Sequence, residues 1–162
     1  MFPVYQRSKT YENAGVSAAE WIDVEEELVT IGTNEVNFSF DNERPAHKHY
    51  LYSYSIADRP VTNKEYIEFI NDGGYETPSF WLAEGWEAVQ KNNWNAPLYW
   101  EKHDGTWYQF TLSGLKEVRG NDPVTHVSYF EADAFARWAG SVCQVNKNGN
   151  GLFGMKNQMD NF

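Results

Sequence analysis

Cysteine is almost missing: Cys143 is the sole thiol in 162 residues. That excludes an internal disulfide and any zinc site built from clustered thiolates. Basic residues are scarce too. Thirteen Lys plus Arg stand against 23 Asp plus Glu, a formal charge of −10. Phosphate-tracking proteins gain affinity from cations that displace counterions, so nucleic acid is not an expected partner. An anionic membrane surface is disfavoured for the same reason. No apolar run approaches the roughly 20 residues that span a bilayer. The first residues lack the basic-then-apolar order of a signal peptide, so a soluble cytoplasmic chain is the expectation. No P-loop, dinucleotide fingerprint or nucleophile motif is present. Rings, by contrast, abound: 7 Trp, 10 Tyr and 10 Phe. They supply enough apolar area for a real core, and the length suits one domain.

Residues 1–20 read as an irregular, polar lead-in. Leu28 to Ile31 reads as a short strand that stops at Gly32, and Phe38 and Phe40 alternate with Ser39 like a half-buried strand. Residues 41–45 carry turn chemistry, and His49 to Ile56 alternates rings with other groups as one strand with two dissimilar faces. Thr62 and Glu65 form a capping box, which opens a helix whose stripe is Tyr66, Ile67, Phe69 and Ile70 and which Gly73-Gly74 ends. A second helix is expected from about Ser79 to Lys91. Asp104-Gly105 between aromatic runs predicts a tight hairpin. Pro123 to Val127 reads as a short strand. Ser128 and Glu131 make a second capping box, opening a helix lined by Phe130, Ala134, Phe135 and Trp138 and closed at Gly140.

Few residues suggest chemistry. His47 and His49 share a face of their strand and could take two positions on a metal, but no third ligand has matching spacing, so exposure is the favoured reading. His103 is expected at the surface and His126 as a hydrogen-bonded packing residue. Glu25-Glu26-Glu27 reads as a solvated run, and Asp58 with Arg59 as a weak surface pair. Glu131 and Asp133 suit helix-capping and dipole roles better than acid–base work. Cys143 has no neighbouring His, which argues against a catalytic thiol. Residues alone thus lead to an aromatic-rich α+β domain without a self-contained active site.

Several strings carry a resemblance. Phe38-Ser-Phe-Asp-Asn-Glu-Arg-Pro45, Ile56-Ala-Asp-Arg-Pro-Val-Thr-Asn63, the run from Glu65 to Tyr75, Trp81-Leu82 with Gly85-Trp86, Pro97-Leu-Tyr-Trp100, and His126-Val-Ser-Tyr129 through Glu131 to Gly140 follow one another in this order. Together they resemble the C-terminal domain of the ergothioneine-biosynthesis sulfoxide synthases. These fall within the wider sulfatase-modifying-factor, or formylglycine-generating-enzyme-like, group. The resemblance covers residues 21–140. It implies a C-type-lectin-like α+β fold, incomplete here and loop-rich, with short strands and two or three helices. It also implies an iron(II)- and oxygen-dependent reaction that joins N-trimethylhistidine to cysteine or γ-glutamylcysteine.

Two departures matter. In that family three histidines of a DinB-like helical bundle hold the iron, and no His-x-x-x-His-x-Glu string occurs here; the resemblance places Met1 beyond that bundle. The family's continuation after Trp-Ala-Gly, Arg-Leu-Pro-x-Glu-x-Glu-Trp-Glu, is also missing as written. No catalytic, cofactor-binding or metal residue is therefore carried over to this chain. The expectation is a fragment that is inactive alone, or else a non-catalytic lectin-like binding module or a formylglycine-generating-enzyme relative.

Residues 141–162 form an anomalous tail rich in Asn and Gly. Each codon junction can be read from the third base of one codon and the first two of the next. From Ser141 to Gly151 the junctions permit Arg-Leu-Pro-Ser-Glu-Gln-Glu-Trp-Glu-Trp. At Asn148–Gly149 and Asn150–Gly151 only Trp or Arg is allowed. The missing family segment can thus be spelled in a shifted frame, and a frameshifted, loosely packed end is expected.

Overall fold

The computed structural model describes residues 15–144 and 153–157. Both capping boxes form where the residue pattern puts them. Helix α1, Asn63–Asn71, opens with the Glu65 amide donating to Thr62 Oγ1 at 3.3 Å. The Thr62 amide donates back to Glu65 Oε2 at 2.8 Å. Helix α3, Tyr129–Trp138, repeats the device with Ser128 and Glu131. Such boxes satisfy two backbone donors that would otherwise have no intrahelical acceptor. Between them lies helix α2, Ala83–Asn92.

The second helix starts later than Ser79. Pro78–Phe80 form a single 3₁₀ turn, and Trp81 is extended. The reason is Trp81 itself: its ring is buried and its indole donates to the Gly74 carbonyl at 2.8 Å, which holds the backbone out of the helix.

Among the described residues nine short strands build three sheets. Strands β1 (Trp21–Val24) and β4 (Tyr54–Ala57) pair antiparallel, Trp21 opposite Ala57, and β9 (Phe153–Asn157) and β8 (Val142–Gln144) continue that sheet in the order β1-β4-β9-β8. Part of the tail therefore has paired backbone. Strands β2 (Glu27–Ile31) and β3 (His47–Leu51) form a separate ribbon. Strands β5 (Trp100–His103), β6 (Thr106–Thr111) and β7 (Gly114–Glu117) make a meander. The turn at Asp104-Gly105 has both residues left-handed, at φ 48° and 85°, as a two-residue hairpin with the right-handed strand twist requires.

Three strand expectations need correction. His49 to Ile56 is two strands in different sheets, broken at Tyr52-Ser53, because β3 follows β2 while β4 follows β1. Phe38–Phe40 joins no ladder. The Arg44 guanidinium gathers that loop, donating to the carbonyls of Glu35 and Asn37 and to Ser39 Oγ. Pro123–Val127 makes only one bridge, Pro123 to Thr62, since proline offers no amide and His126 turns left-handed at φ 65°. Strand β7 was not foreshadowed by the residue pattern.

The core sits between α1 and α3. Tyr66, Phe69, Tyr75, Trp81, Val89 and Ala134 are buried together. Tyr66 stacks on Phe135 at 5.4 Å, and Phe69 meets Phe135 and Trp138 edge-on at 5.8 Å. Close helix approach depends on small residues on α3, where Ala132, Ala134 and Ala136 are all buried. Gly74 is equally constrained: a Cβ there would lie 2.3 Å from the Phe69 ring. The described residues have the C-type-lectin-like α+β character expected of them, with three helices among short antiparallel strands.

Candidate functional site

The segment from Asn93 to Trp100 separates two clefts. On one side a cleft of about 460 Å³ is lined by Trp94, Leu98, Tyr99, His126 and Glu131. On the other a cleft of about 670 Å³ is lined by Tyr75, Trp94, Trp100, Trp107, Lys102 and Glu101. Three of the four left-handed non-glycine residues described, Asn93, Tyr99 and His126, border the smaller cleft. Such conformations cost on the order of 1 kcal/mol each and persist where surrounding bonds impose them. Here the Leu98 amide donates to the His126 carbonyl at 3.2 Å, and the Phe110 amide to the Tyr99 carbonyl at 2.9 Å. The Tyr99 and His126 rings meet edge to face at 5.1 Å.

Tyr75 and Glu131 link the clefts through the core. The Tyr75 hydroxyl donates to Glu131 Oε1 at 2.5 Å and lies 3.3 Å from the Tyr66 hydroxyl. Glu131 Oε2 meanwhile accepts from the Ser128 amide. One carboxyl thus caps α3 and anchors a buried phenol. Burial pushes both phenols above the ordinary tyrosine value, and the Glu131 charge adds to the effect. They stay protonated and act as fixed donors. The arrangement holds walls in place; it contains no nucleophile beside a base.

The residues singled out from sequence are scattered. His47 and His49 are exposed on β3, with His47 Nδ1 3.1 Å from the Pro45 carbonyl. His103 is exposed and 3.0 Å from Glu101 Oε2. His126 is exposed and borders the smaller cleft; its carbonyl, not its ring, takes the hydrogen bond. Glu25, Glu26 and Glu27 are exposed. Arg59 does not pair with Asp58. It forks onto Glu65 at 2.8 and 3.0 Å and donates to the Ser17 carbonyl, while Asp58 exchanges bonds with Glu20. The fork geometry explains the choice, since a guanidinium matches a carboxylate two bonds at a time. Asp133 pairs with Arg137 one turn along α3. The Cys143 side chain and residues 1–14 lie outside the described residues.

Among the described residues no group of three His, Cys, Asp or Glu side chains could hold a metal ion. These residues do not fit an iron centre. No helix among them is long and apolar enough to cross a membrane.

Sequence reasoning missed the Tyr66–Tyr75–Glu131 chain and the pairing of Trp100 with Trp107, whose centroids lie 5.9 Å apart. The second was findable. A two-residue turn at 104–105 sets Trp100 opposite Gln109 and Lys102 opposite Trp107, which puts all four on one face.

Comparison with known proteins adds the family. Residues 9–153 match the model of the sulfatase-modifying factor enzyme 1-like domain. The chain is 47% identical over 103 residues to the hercynine oxygenase of Mycolicibacterium smegmatis, covering 64% of this chain and 23% of that protein. It is 42% identical over 103 residues to the hercynine oxygenase of Mycobacterium tuberculosis, covering 64% and 24%. Against the ergothioneine biosynthesis protein 1 of Schizosaccharomyces pombe the identity is 36% over 78 residues, 48% of this chain and 8% of that one. The chain therefore spans about a quarter of the length of its mycobacterial relatives. On a fold with two ring-lined clefts and a match running over most of its length, the chain belongs to the sulfatase-modifying factor enzyme 1-like family.

Proposed function

We propose that this chain supplies scaffold and one wall of the substrate cleft in an ergothioneine-type sulfoxide synthase. The observation that carries the reading is the 47% identity to a hercynine oxygenase, well above the 26% and 29% identity to two formylglycine-generating enzymes. In this reading the full reaction is iron(II)- and oxygen-dependent C–S bond formation between N-trimethylhistidine and cysteine or γ-glutamylcysteine. The iron ligands belong to a DinB-like helical portion outside the described residues. The chain's own contribution is shape: rings, fixed phenols and amides that exclude water and orient a bound molecule. Alone it turns over nothing. We further propose that the segment after Gly140 is an out-of-frame reading, which the nucleotide sequence of that region tests directly.

The experiment is complementation. The purified chain is incubated with ferrous ion, oxygen and both substrates, with and without a separately made iron-holding helical portion, and sulfoxide is followed by mass spectrometry. Product only in the combined sample supports the reading. A tightly held ferrous ion with turnover in the isolated chain overturns the division of labour. A second reading, a ligand-binding module without chemistry, is favoured by the ring-lined 670 Å³ cleft. Ligand binding unaffected by iron would select it.

A further inference from the structure

Strands β2 and β3 pair with each other, and neither packs substantially against another described helix or strand. A lone two-stranded ribbon is marginal in water; it needs a third strand or a helix against an apolar face. The loop that joins the two strands is tied to itself. The Thr33 amide donates to the Glu43 carbonyl at 2.9 Å, and the Ala46 amide to Asn34 Oδ1 at 3.0 Å. Yet this arm, residues 25–52, is rich in apolar side chains. Leu28 stands opposite Tyr50 in the ladder, so the two share a face, and the Tyr50 and Tyr52 rings meet edge to face at 5.1 Å. Leu28 and Tyr52 are 57% and 66% exposed, and Phe38 and Phe40 in the joining loop are exposed as well. Single exposed rings are ordinary. A run of them on one element that nothing described covers is the mark of an interface.

Charge restricts what could cover it. Glu25, Glu26, Glu27, Glu35, Asp41 and Glu43 stand on the arm against two cations, Arg44 and Lys48. Both cations are engaged within the arm, Arg44 with its own loop and Lys48 with Thr30 Oγ1 at 2.8 Å. The rings are thus rimmed by carboxylates. A second copy would bring the same carboxylates and a further formal charge of −10, so self-association is opposed by repulsion. The complementary surface is apolar at its centre and edged with Lys or Arg. The family model runs over residues 9–153, so the arm is part of the shared domain and not an addition to it. The match to the Mycolicibacterium smegmatis hercynine oxygenase takes up only 23% of that protein, which leaves most of its length to supply such a surface.

We propose that residues 25–52 are a docking arm. Leu28, Phe38, Phe40, Tyr50 and Tyr52 seat on an apolar, Lys- or Arg-rimmed surface in the part of a hercynine-oxygenase-like polypeptide that lies outside the matched stretch. The covering surface supplies the third layer that the ribbon lacks, and the carboxylate rim sets its orientation. The proposal rests on the reading of this chain as part of a sulfoxide synthase, and it names the surface through which that part is joined to the rest.

The test mixes the full chain with the Mycolicibacterium smegmatis hercynine oxygenase made without its matched stretch. Complex formation is read by sedimentation velocity and backbone opening by hydrogen–deuterium exchange. Where circular dichroism shows that piece unfolded by itself, it is fused ahead of the full chain and exchange is read in the fusion. In the complex the β2–β3 amides are expected to slow at least about tenfold, while those of α1 stay as they are. The double variant Phe38→Glu, Tyr52→Glu should weaken binding at least about tenfold, and added salt should weaken it further. Leu112→Glu, at an exposed position between β6 and β7, should leave binding unchanged. A complex that makes sulfoxide but binds the double variant as tightly as the parent overturns the docking arm and leaves the sulfoxide reading standing. No complex and no slowing in the fusion overturns both. The arm is also overturned if the β2–β3 amides slow on self-association of the chain alone, or if in the free monomer they already exchange as slowly as α1.

Discussion

The β2–β3 ribbon and the α1–α3 core use the same kind of residue to opposite effect. In the core, Tyr66 and Phe69 are 1% and 0% exposed and each touches several other rings. Around the ribbon, Phe38 and Phe40 are 87% and 63% exposed and meet mainly each other, at 5.2 Å. The helices bring rings together because capping boxes fix where each stripe begins. The ribbon is held by ladder bonds, the Arg44 fork and exposed hydrogen bonds such as Lys48 Nζ to Thr30 Oγ1, with Tyr50, Tyr52, Leu28 and Ile31 left facing outward. Rings alone do not make a core; they need an element whose start is fixed and whose far side meets another stripe.

The comparison predicts a hierarchy of stability effects. The largest belongs to Phe69→Ala, which should cost about 3–5 kcal/mol in denaturant unfolding, since the side chain is fully enclosed. An effect below about 1 kcal/mol would mean the core is much looser than described. Next comes Glu131→Ala, expected to cost about 2–4 kcal/mol by removing the α3 cap and stranding the Tyr75 hydroxyl. Glu131→Gln should recover much of that loss, because an amide oxygen still accepts and Gln serves in a capping box. Equal losses would show that the charge, not the bonds, is what matters.

A smaller effect is set by pH. The Arg59 fork and the Thr62 amide hold the Glu65 carboxyl at about 2, below its ordinary 4.5. A lowered folded value stabilises the fold above the unfolded value, and the gain is lost as pH falls from about 4.5 through about 2. With Glu65 about a third exposed, solvent screening reduces this to about 1–2 kcal/mol. Arg59→Met should flatten that part of the acid unfolding curve; an unchanged slope would remove the pair from the account. Smallest of all, Phe38→Ser should change stability by no more than about 0.5 kcal/mol while improving solubility. A loss of 2 kcal/mol would erase the contrast between ribbon and core.

Legibility in the sequence follows the same division. Thr62-x-x-Glu65, Ser128-x-x-Glu131 and Asp104-Gly105 announce their elements because their physics is local, complete within four residues. The break at Tyr52-Ser53, the late start of α2 and the loop at Phe38 depend on distant partners: a neighbouring sheet, the Gly74 carbonyl, the Arg44 fork. The clefts were illegible for a related reason. Tyr75 and Glu131 are 56 positions apart in the chain, and nothing in either neighbourhood signals the other. Trp100 and Trp107 were within reach of hairpin register, which relates the two strands by simple counting from the turn.

The most direct check on the central claim is a chimera. The stretch of the Mycolicibacterium smegmatis hercynine oxygenase that aligns with this chain is replaced by the corresponding 103 residues, and sulfoxide production from N-trimethylhistidine and a thiol is measured. The account predicts product at a rate within about tenfold of the parent enzyme, a barrier change of about 1.4 kcal/mol. A chimera that folds and loads iron yet forms no sulfoxide would contradict it.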